Sequence, residues 1–389
     1  MSESGPTETK EENLGDECGD VCRSHPDLLE FLSSAYEVLR KVFSYLNLED
    51  LGNAAKAYDS WKAAAEVTKR ERSIIETFVL SDHKHKMTPI WSEAVFCISF
   101  CSAVNKELES EVTRFVRPDG EILSCLATSG VIGSLHDLSG IVQQKIRVGL
   151  PLAPKKFFLT SLRFPSLPNV GIKTFVWEEE EDEDFETFKK NFCVPNNKVI
   201  KCLLILMVAE ERGRSASSHK DDFVSFLRER QKESFAVGGC IIDNFENHVR
   251  KNPNHSVVKY VVFYGDNVEA ASTVLTADIK TPASIDNKVS ELKRKCPETK
   301  KGVLFIFRCT GRQKVLRRYK MKNDIVKWEG EAILKYFPNT PMVGCFGYGE
   351  FGNEHPCDNN VISPNKRIKG SETLEFSFST SLVYLGFKR

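Results

Sequence analysis

The stretch Val343–Gly352, "VGCFGYGEFG", decides how the fold is read. Gly347, Gly349 and Gly352 spell a literal G-x-G-x-x-G, the spacing of a dinucleotide-binding turn. That turn needs a strand before the glycines and a helix after them, because the helix end supplies the free amides and positive dipole that hold a pyrophosphate. "TPMVGCF" can serve as the strand. The segment after Gly352, "NEHPCDNNVISPNKRIKG", carries two prolines and no helical periodicity. Glu372 lies about twenty residues on, but it ends no second strand of a βαβ unit. Too little chain remains after Gly352 for the rest of such a domain. Gly344, Gly347, Gly349 and Gly352 are therefore read as giving the backbone positive φ or a bulge between two strands. Gly238 and Gly239, after "FAV" and before "CIIDNF", invite the same reading.

Outward from these glycines the chain mixes helix and strand. "VIKCLLILMVAE" and "VVKYVVFYG" are buried-type strands, the second rich in β-branched and aromatic residues. "EILSCLATSGVIG", "KKFFLTSLRFP" and "GVLFIFRCTGR" read as further strands. Phe223, Phe226 and Leu227 fall at helical spacing, as do Ile285, Val289, Leu292 and Cys296. "EGEAILKYFP" is a helix stopped at Pro338. Strands outnumber helices, and "TPMVGCFGYGEFG" with "LEFSFSTSLVYLGF" reads as an antiparallel meander rather than repeated βαβ units. The expected class is α+β.

The N-terminal region differs. Residues 1–28 are acidic and poor in apolar residues, the composition of a disordered tail. Residues 29–80 read as a helical module. Val38, Leu39, Val42, Phe43 and Leu46 form one apolar face, Asn47 can cap a second helix with Asp50 near its positive end, and Leu51, Ala54, Ala55 and Tyr58 make the next stripe before Trp61. A module this small leaves apolar surface for a partner. Residues 86–177 and 199–389 form the two halves of a larger domain. The stretch 178–198 between them opens with seven consecutive acids, Glu178 to Asp184, read as a solvated linker or loop, with acidic docking as the sharper alternative.

Composition narrows the function classes. Fifty-four Lys and Arg balance 54 Asp and Glu, so no global field favours nucleic acid or an anionic membrane. "CLLILMVA" (202–209) is too short to cross a bilayer, and the N-terminus has no apolar signal segment, which predicts an intracellular protein. The 12 cysteines then read as thiols. A zinc site from His83, His85, Cys97 and Cys101 is conceivable, but "WSEAVFCISFCSAV" reads as apolar packing. Cys309 ends an apolar strand beside a turn expected to expose it, and Arg308 and Arg312 flank it, where cations can lower a thiol pKa. No His base is near in sequence, so a plain buried thiol is favoured over a ligand-lining one and both over a nucleophile.

"EVLRKVFSYLNLEDLGNAAKAYDSW" resembles an F-box, with Ser34-Ala35 where that motif usually opens on Leu-Pro. "ATSGVIG", "AVGGCIID", "FRCTGR", "FPNTPMVGCFGYGEFG" and "SFSTSLVYLGF" resemble, in order, segments of a FIST domain. The resemblance covers about residues 30–389 and implies a small all-α F-box module followed by a large FIST α/β sandwich-like domain. It implies that Val38, Leu39, Val42, Phe43, Leu46, Leu51 and Trp61 are packing or adaptor-facing positions. The implied partners are the Skp adaptor and cullin of an SCF-type ubiquitin ligase, with the large domain capturing protein substrates in the cytoplasm and nucleus. No enzyme activity, cofactor, metal, nucleic acid or membrane is implied. The alternative is a small-ligand sensor whose pocket is lined by Gly239, Cys309, Arg312, Gly347, Gly349 and Glu350. A redox enzyme is the least favoured reading.

Overall fold

The structure is a computed structural model and describes residues 36–81, 89–135, 145–148, 158–178, 185–208, 216–246, 256–297, 299, 301–312, 325–356 and 374–388. The expected acidic tail, most of the acidic block, His83 and His85 lie outside them. The chain divides into two compact units, 1–71 and 72–389.

In the first unit, α1 (Tyr36–Phe43), α2 (Leu48–Ala57) and α3 (Asp59–Glu71) form the helical module. Asn47 caps α2: its Oδ1 accepts from the Asp50 amide at 2.9 Å, and Glu49 and Asp50 sit at the positive end of the helix. Leu39 and Phe43 lie one helical turn apart and are buried, as are Leu48, Leu51, Ala54, Ala64 and Ala65. The Phe43 ring meets Trp61 edge-on at 5.7 Å. This unit ends at Glu71, and residues 76–81, assigned from sequence to the module, form a strand of the large unit.

The large unit begins with β1 (Glu76–Ser81), β2 (Ala94–Cys101), α4 (Lys106–Thr113), β3 (Val116–Leu126), β4 (Val131–Leu135), β5 (Lys145–Val148) and β6 (Phe158–Pro165). Next come β7 (Gly171–Glu178), α5 (Phe185–Lys190), β8 (Ile200–Val208), α6 (Ala216–Arg230), β9 (Ala236–Ile242), β10 (Asn244–Phe245) and β11 (Val257–Tyr264). It closes with β12 (Val268–Leu275), α7 (Pro282–Lys295), β13 (Lys301–Cys309), α8 (Ile325–Tyr336), β14 (Met342–Gly347), β15 (Glu350–Gly352), β16 (Glu375–Phe376) and β17 (Thr380–Phe387).

These strands make three mixed sheets, ordered β1-β6-β2-β3-β10, β7-β11-β8-β9-β15-β16 and β12-β17-β13-β14-β4-β5. One plan is used three times. An edge strand is followed by a central strand, a helix, a parallel strand, a short strand given to another sheet, and a return strand antiparallel to the first two. In each sheet the central pair (β2/β3, β8/β9, β13/β14) is parallel and its other neighbours are antiparallel. The short strands pass cyclically: β4 joins β14, β10 joins β3, and β15 joins β9.

The expected meander is therefore corrected. β13 and β14 are a βαβ pair around α8, and β17 lies antiparallel between β12 and β13. Their near-continuous apolar runs are the mark of strands covered on both faces. The division at 177/178 is corrected as well, because β7 pairs with β11 in the second repeat and α5, with buried Phe188, lies within the expected linker.

The inward faces of all three sheets meet in one core, including Phe100, Phe164, Leu204, Phe263, Phe305 and Val383. The outer face of the second sheet packs on Phe188 of α5 and Phe223 and Leu227 of α6; that of the third packs on Ile285, Val289 and Leu292 of α7 and Ile333 of α8. The three strand exchanges meet at the C-terminal ends of the parallel pairs. The Asp243 amide donates to Leu126 O at 3.0 Å, Tyr348 N to Ile241 O at 3.0 Å, and Phe346 N to Gly130 O at 3.0 Å. The Asp243 carboxylate completes the junction, accepting from the Thr128 amide at 2.7 Å and the Tyr348 hydroxyl at 2.9 Å. Asp243→Ala removes both acceptors and is expected to cost about 1–3 kcal/mol of unfolding free energy, read by urea denaturation. Tyr348→Phe, which loses one of these bonds, should cost less.

Candidate functional site

The residues expected at a site fall in two regions, the outer face of the helical module and the strand-exchange junction of the large unit. On the module, the apolar face expected from periodicity is split. Leu39, Phe43 and Leu51 are core, and Leu46 and Trp61 are half-buried. Val38 and Val42 instead point to solvent, 46% and 48% exposed, one helical turn apart. Tyr45, 70% exposed, continues their row, and Tyr36 and Tyr58 are also exposed. Sequence reading missed Tyr36 and Tyr45, although Tyr45 lies three residues beyond Val42, and it placed Tyr58 on the apolar stripe of α2, whereas Tyr58 follows the helix and is exposed. The result is an apolar stripe separate from the residues that hold the module together.

At the junction, the residues expected to line a pocket are drawn together. Gly347 pairs with Cys309 across β14 and β13, and Glu350 pairs with Cys240 beside Gly239 across β15 and β9. They form a packed seam, not an open pocket. A Cβ on Gly347 would stand 2.6 Å from Cys240 Cβ, and Gly349 packs against Ile241. Of the six glycines read as giving positive φ or a bulge, Gly239 alone has positive φ (+146°), and a Cβ there would lie 1.8 Å from Ile205 O. Close approach, not a left-handed backbone, explains Gly347.

Cys309 is 6% exposed, the plain buried thiol favoured from sequence rather than one its turn exposes. Burial pushes its thiol up, and the Glu350 carboxyl beside it pushes the same way. The flanking cations do not offset this, because they are committed to Glu329. Arg308 Nη2 donates to Glu329 Oε2 at 2.7 Å and Arg312 Nε to Oε1 at 2.6 Å, with all three side chains buried. Burial alone would raise the Glu329 carboxyl, but the two guanidiniums and the Thr380 hydroxyl hold it below its ordinary value. Arg312 also donates to Thr276 O, Ile279 O and Phe378 O at 2.7–2.9 Å, so it ties loops together. Glu350 is different: burial pushes its carboxyl up to about 8, against the pull of the Ser379 hydroxyl, which donates to Oε2 at 2.7 Å.

Cavities of about 670, 490 and 380 Å³ lie elsewhere, and none is lined by the six expected residues. The first of these starts at Gly352, just past the seam, between buried Phe235 and Leu374 and exposed Arg228 and Lys232. Cys97 and Cys101 of the conceivable zinc set are buried in β2. Among the described residues no group of three or more His, Cys, Asp or Glu side chains is placed to hold a metal.

No family model matches the chain. It is similar to F-box only protein 22. The human protein (Homo sapiens) is 27% identical over 156 residues, which span 39% of this chain and 38% of the relative. F-box only protein 22 of Pongo abelii is 26% identical over the same lengths. Thus the chain spans well under half the length of the curated relatives it matches. Among solved structures, cyanuric acid hydrolase from A. caulinodans aligns with 81% of this chain and 99% of its own at 7% identity and a TM-score of 0.33, too low to carry an argument.

Glu350 gives the junction a pH signature. Its folded pKa of about 8 lies above the unfolded value of 4.5, so its contribution is present below 4.5 and is lost as pH rises towards 8. Glu350→Gln cannot ionise. The variant should show a flatter dependence of Tm on pH across this window, and its stability relative to the parent should rise with pH. A slope unchanged by the substitution would place the carboxyl in a solvated setting.

Proposed function

We propose that this chain is the substrate-recognition subunit of an SCF-type cullin–RING ubiquitin ligase, acting in the cytoplasm and nucleus. The helical module docks on the Skp adaptor, and the large unit, read as a FIST domain, captures protein substrates for ubiquitination and proteasomal degradation. The observation that carries this reading is the solvent-facing stripe of Val38, Val42 and Tyr45 on a three-helix module. Contiguous exposed apolar surface marks an interaction site. Similarity to F-box only protein 22 supports it. The chain's contribution to ubiquitin transfer is then proximity, with no side-chain catalysis, cofactor, nucleic acid or membrane involved.

A small-ligand sensor is the second reading, favoured by the roughly 670 Å³ cavity next to Gly352, a volume suited to a metabolite. Thermal shift against amino acids and metabolites tests it, and a flat response across the panel counts against it.

The adaptor reading is tested by co-purification with the Skp adaptor. Val38→Asp with Val42→Asp should abolish association while leaving helicity unchanged and the unfolding free energy within about 0.5 kcal/mol of the parent, because both side chains are solvent-facing. Phe43→Ala should instead unfold the module, at a cost of about 3–5 kcal/mol. Unaltered adaptor binding by the double Asp variant would sink the assignment.

A further inference from the structure

Cys240 in β9 and Cys345 in β14 occupy the same place in the second and third repeats, each directly after a glycine. The equivalent residue of the first repeat is Cys125 in β3, and all three are fully buried in the central core. The Sγ atoms of Cys240 and Cys345 are 3.4 Å apart. Packing leaves them little room to separate. Gly347 presses on Cys240 from one side, where an added Cβ would stand 3.0 Å from its Sγ. The backbones of Gly239 and Gly344 lie so close to Ile205 O and Ile306 O that a Cβ at either would stand 1.8 Å from the carbonyl oxygen. A disulfide needs an S–S distance of about 2.05 Å, so closure takes roughly 1.4 Å. The two strands belong to different sheets, and hydrogen bonds such as Ile241 N to Gly349 O at 2.9 Å join β9 to the turn that follows β14.

We propose that Cys240 and Cys345 are a latent disulfide pair, which a peroxide oxidant converts into a covalent staple between the second and third repeats. One thiol loses its proton to hydroxide, and the thiolate attacks a peroxide oxygen. The O–O bond breaks, hydroxide leaves, and the sulfur becomes a sulfenic acid. The second sulfur attacks it; the S–S bond forms, the S–O bond breaks and water departs with the second thiol's proton. In sum, two thiols and one hydrogen peroxide give one disulfide and two waters, with two electrons passing from sulfur to oxygen. Burial disfavours the thiolate at Cys240, so the reaction is slow and accelerates with pH in step with the thiolate fraction.

The test treats the full chain with hydrogen peroxide, then unfolds it in an alkylating agent and maps the peptides by mass spectrometry. The expected product is a peptide pair joined through Cys240 and Cys345. It is absent before oxidation, is lost on reduction, forms about tenfold faster per unit of pH, and is accompanied by a Tm rise of several degrees. Cys345→Ala should abolish both the joined pair and the Tm rise. Recovery of Cys240 and Cys345 as separate alkylated thiols, when exposed Cys193 is fully oxidised, overturns the proposal. So does a joined pair in which Cys125 replaces either partner. Because the peptide map of the parent chain decides the matter, the outcome does not depend on the variant folding.

Discussion

The cyclic exchange of short strands is the constraint on which the rest of the large unit depends. No sheet is complete within one repeat: the first needs β10, the second β15 and the third β4. The three backbones must therefore converge where the parallel pairs end, and convergence dictates residue size. The sites at the seam are filled by Gly239, Gly344 and Gly347 and by the buried thiols of Cys125, Cys240 and Cys345. Larger side chains would collide with neighbouring carbonyls or with each other. The same convergence makes Asp243 valuable, since one carboxylate meets an amide of the first repeat and a hydroxyl of the third. Exchange also couples the repeats, because loss of one short strand leaves a neighbouring sheet with an unpaired edge.

The buried ions are a consequence of this architecture. The third repeat must bring the end of β13, the start of α8 and the start of β17 together beside the seam. Arg308, Glu329, Arg312 and Thr380 are the groups that meet there. Burying charge is costly unless every group is paired, and here two cations share one carboxylate while Arg312 is further satisfied by three carbonyls. A guanidinium spent in this way is unavailable to activate a neighbouring thiol. The sheet edges are managed with equal economy. His355 bridges to Ser272 on β12, and Glu121 accepts from the Thr174 amide of β7 at 2.9 Å. These contacts cap backbone groups that would otherwise recruit another strand.

Much of this was legible in the sequence, and the losses have physical causes. Apolar runs marked the strands, periodicity marked α6 and α7, and the missing helix after Gly352 removed the dinucleotide reading. The threefold plan was not legible. Its repeats share little beyond a small residue before a buried cysteine, and their loops differ in length and in added elements such as α5, α7, β5 and β16. Strand direction escaped for a related reason: β14 and β17 look alike as apolar runs, and only pairing across the chain separates parallel from antiparallel. The favoured reading of Cys309 as a plain buried thiol holds, and only its exposing turn fails, because a local reading does not see Phe378, whose ring closes on Gly311 from far along the chain. Val38 and Leu39 illustrate the same limit. Adjacent apolar residues on a helix widen a stripe, and the packing partner decides which edge is covered.

On α1 the core row and the outer row are separate. Had Val38 and Val42 shared the core with Leu39 and Phe43, any change in docking preference would have cost stability. Instead the core row lies about 100° round the helix from the outer row, since consecutive residues advance by that angle. Leu39 and Phe43 fix the shape of the module, with Trp61 edge-on to Phe43. Val38, Val42 and Tyr45 carry none of that packing and leave apolar surface in water. Burial at about 25 cal/mol per Å² rewards covering such surface without any specific polar contact. Short branched side chains also lose little rotamer freedom on docking. The outer row can therefore change in size and shape without disturbing the fold beneath it.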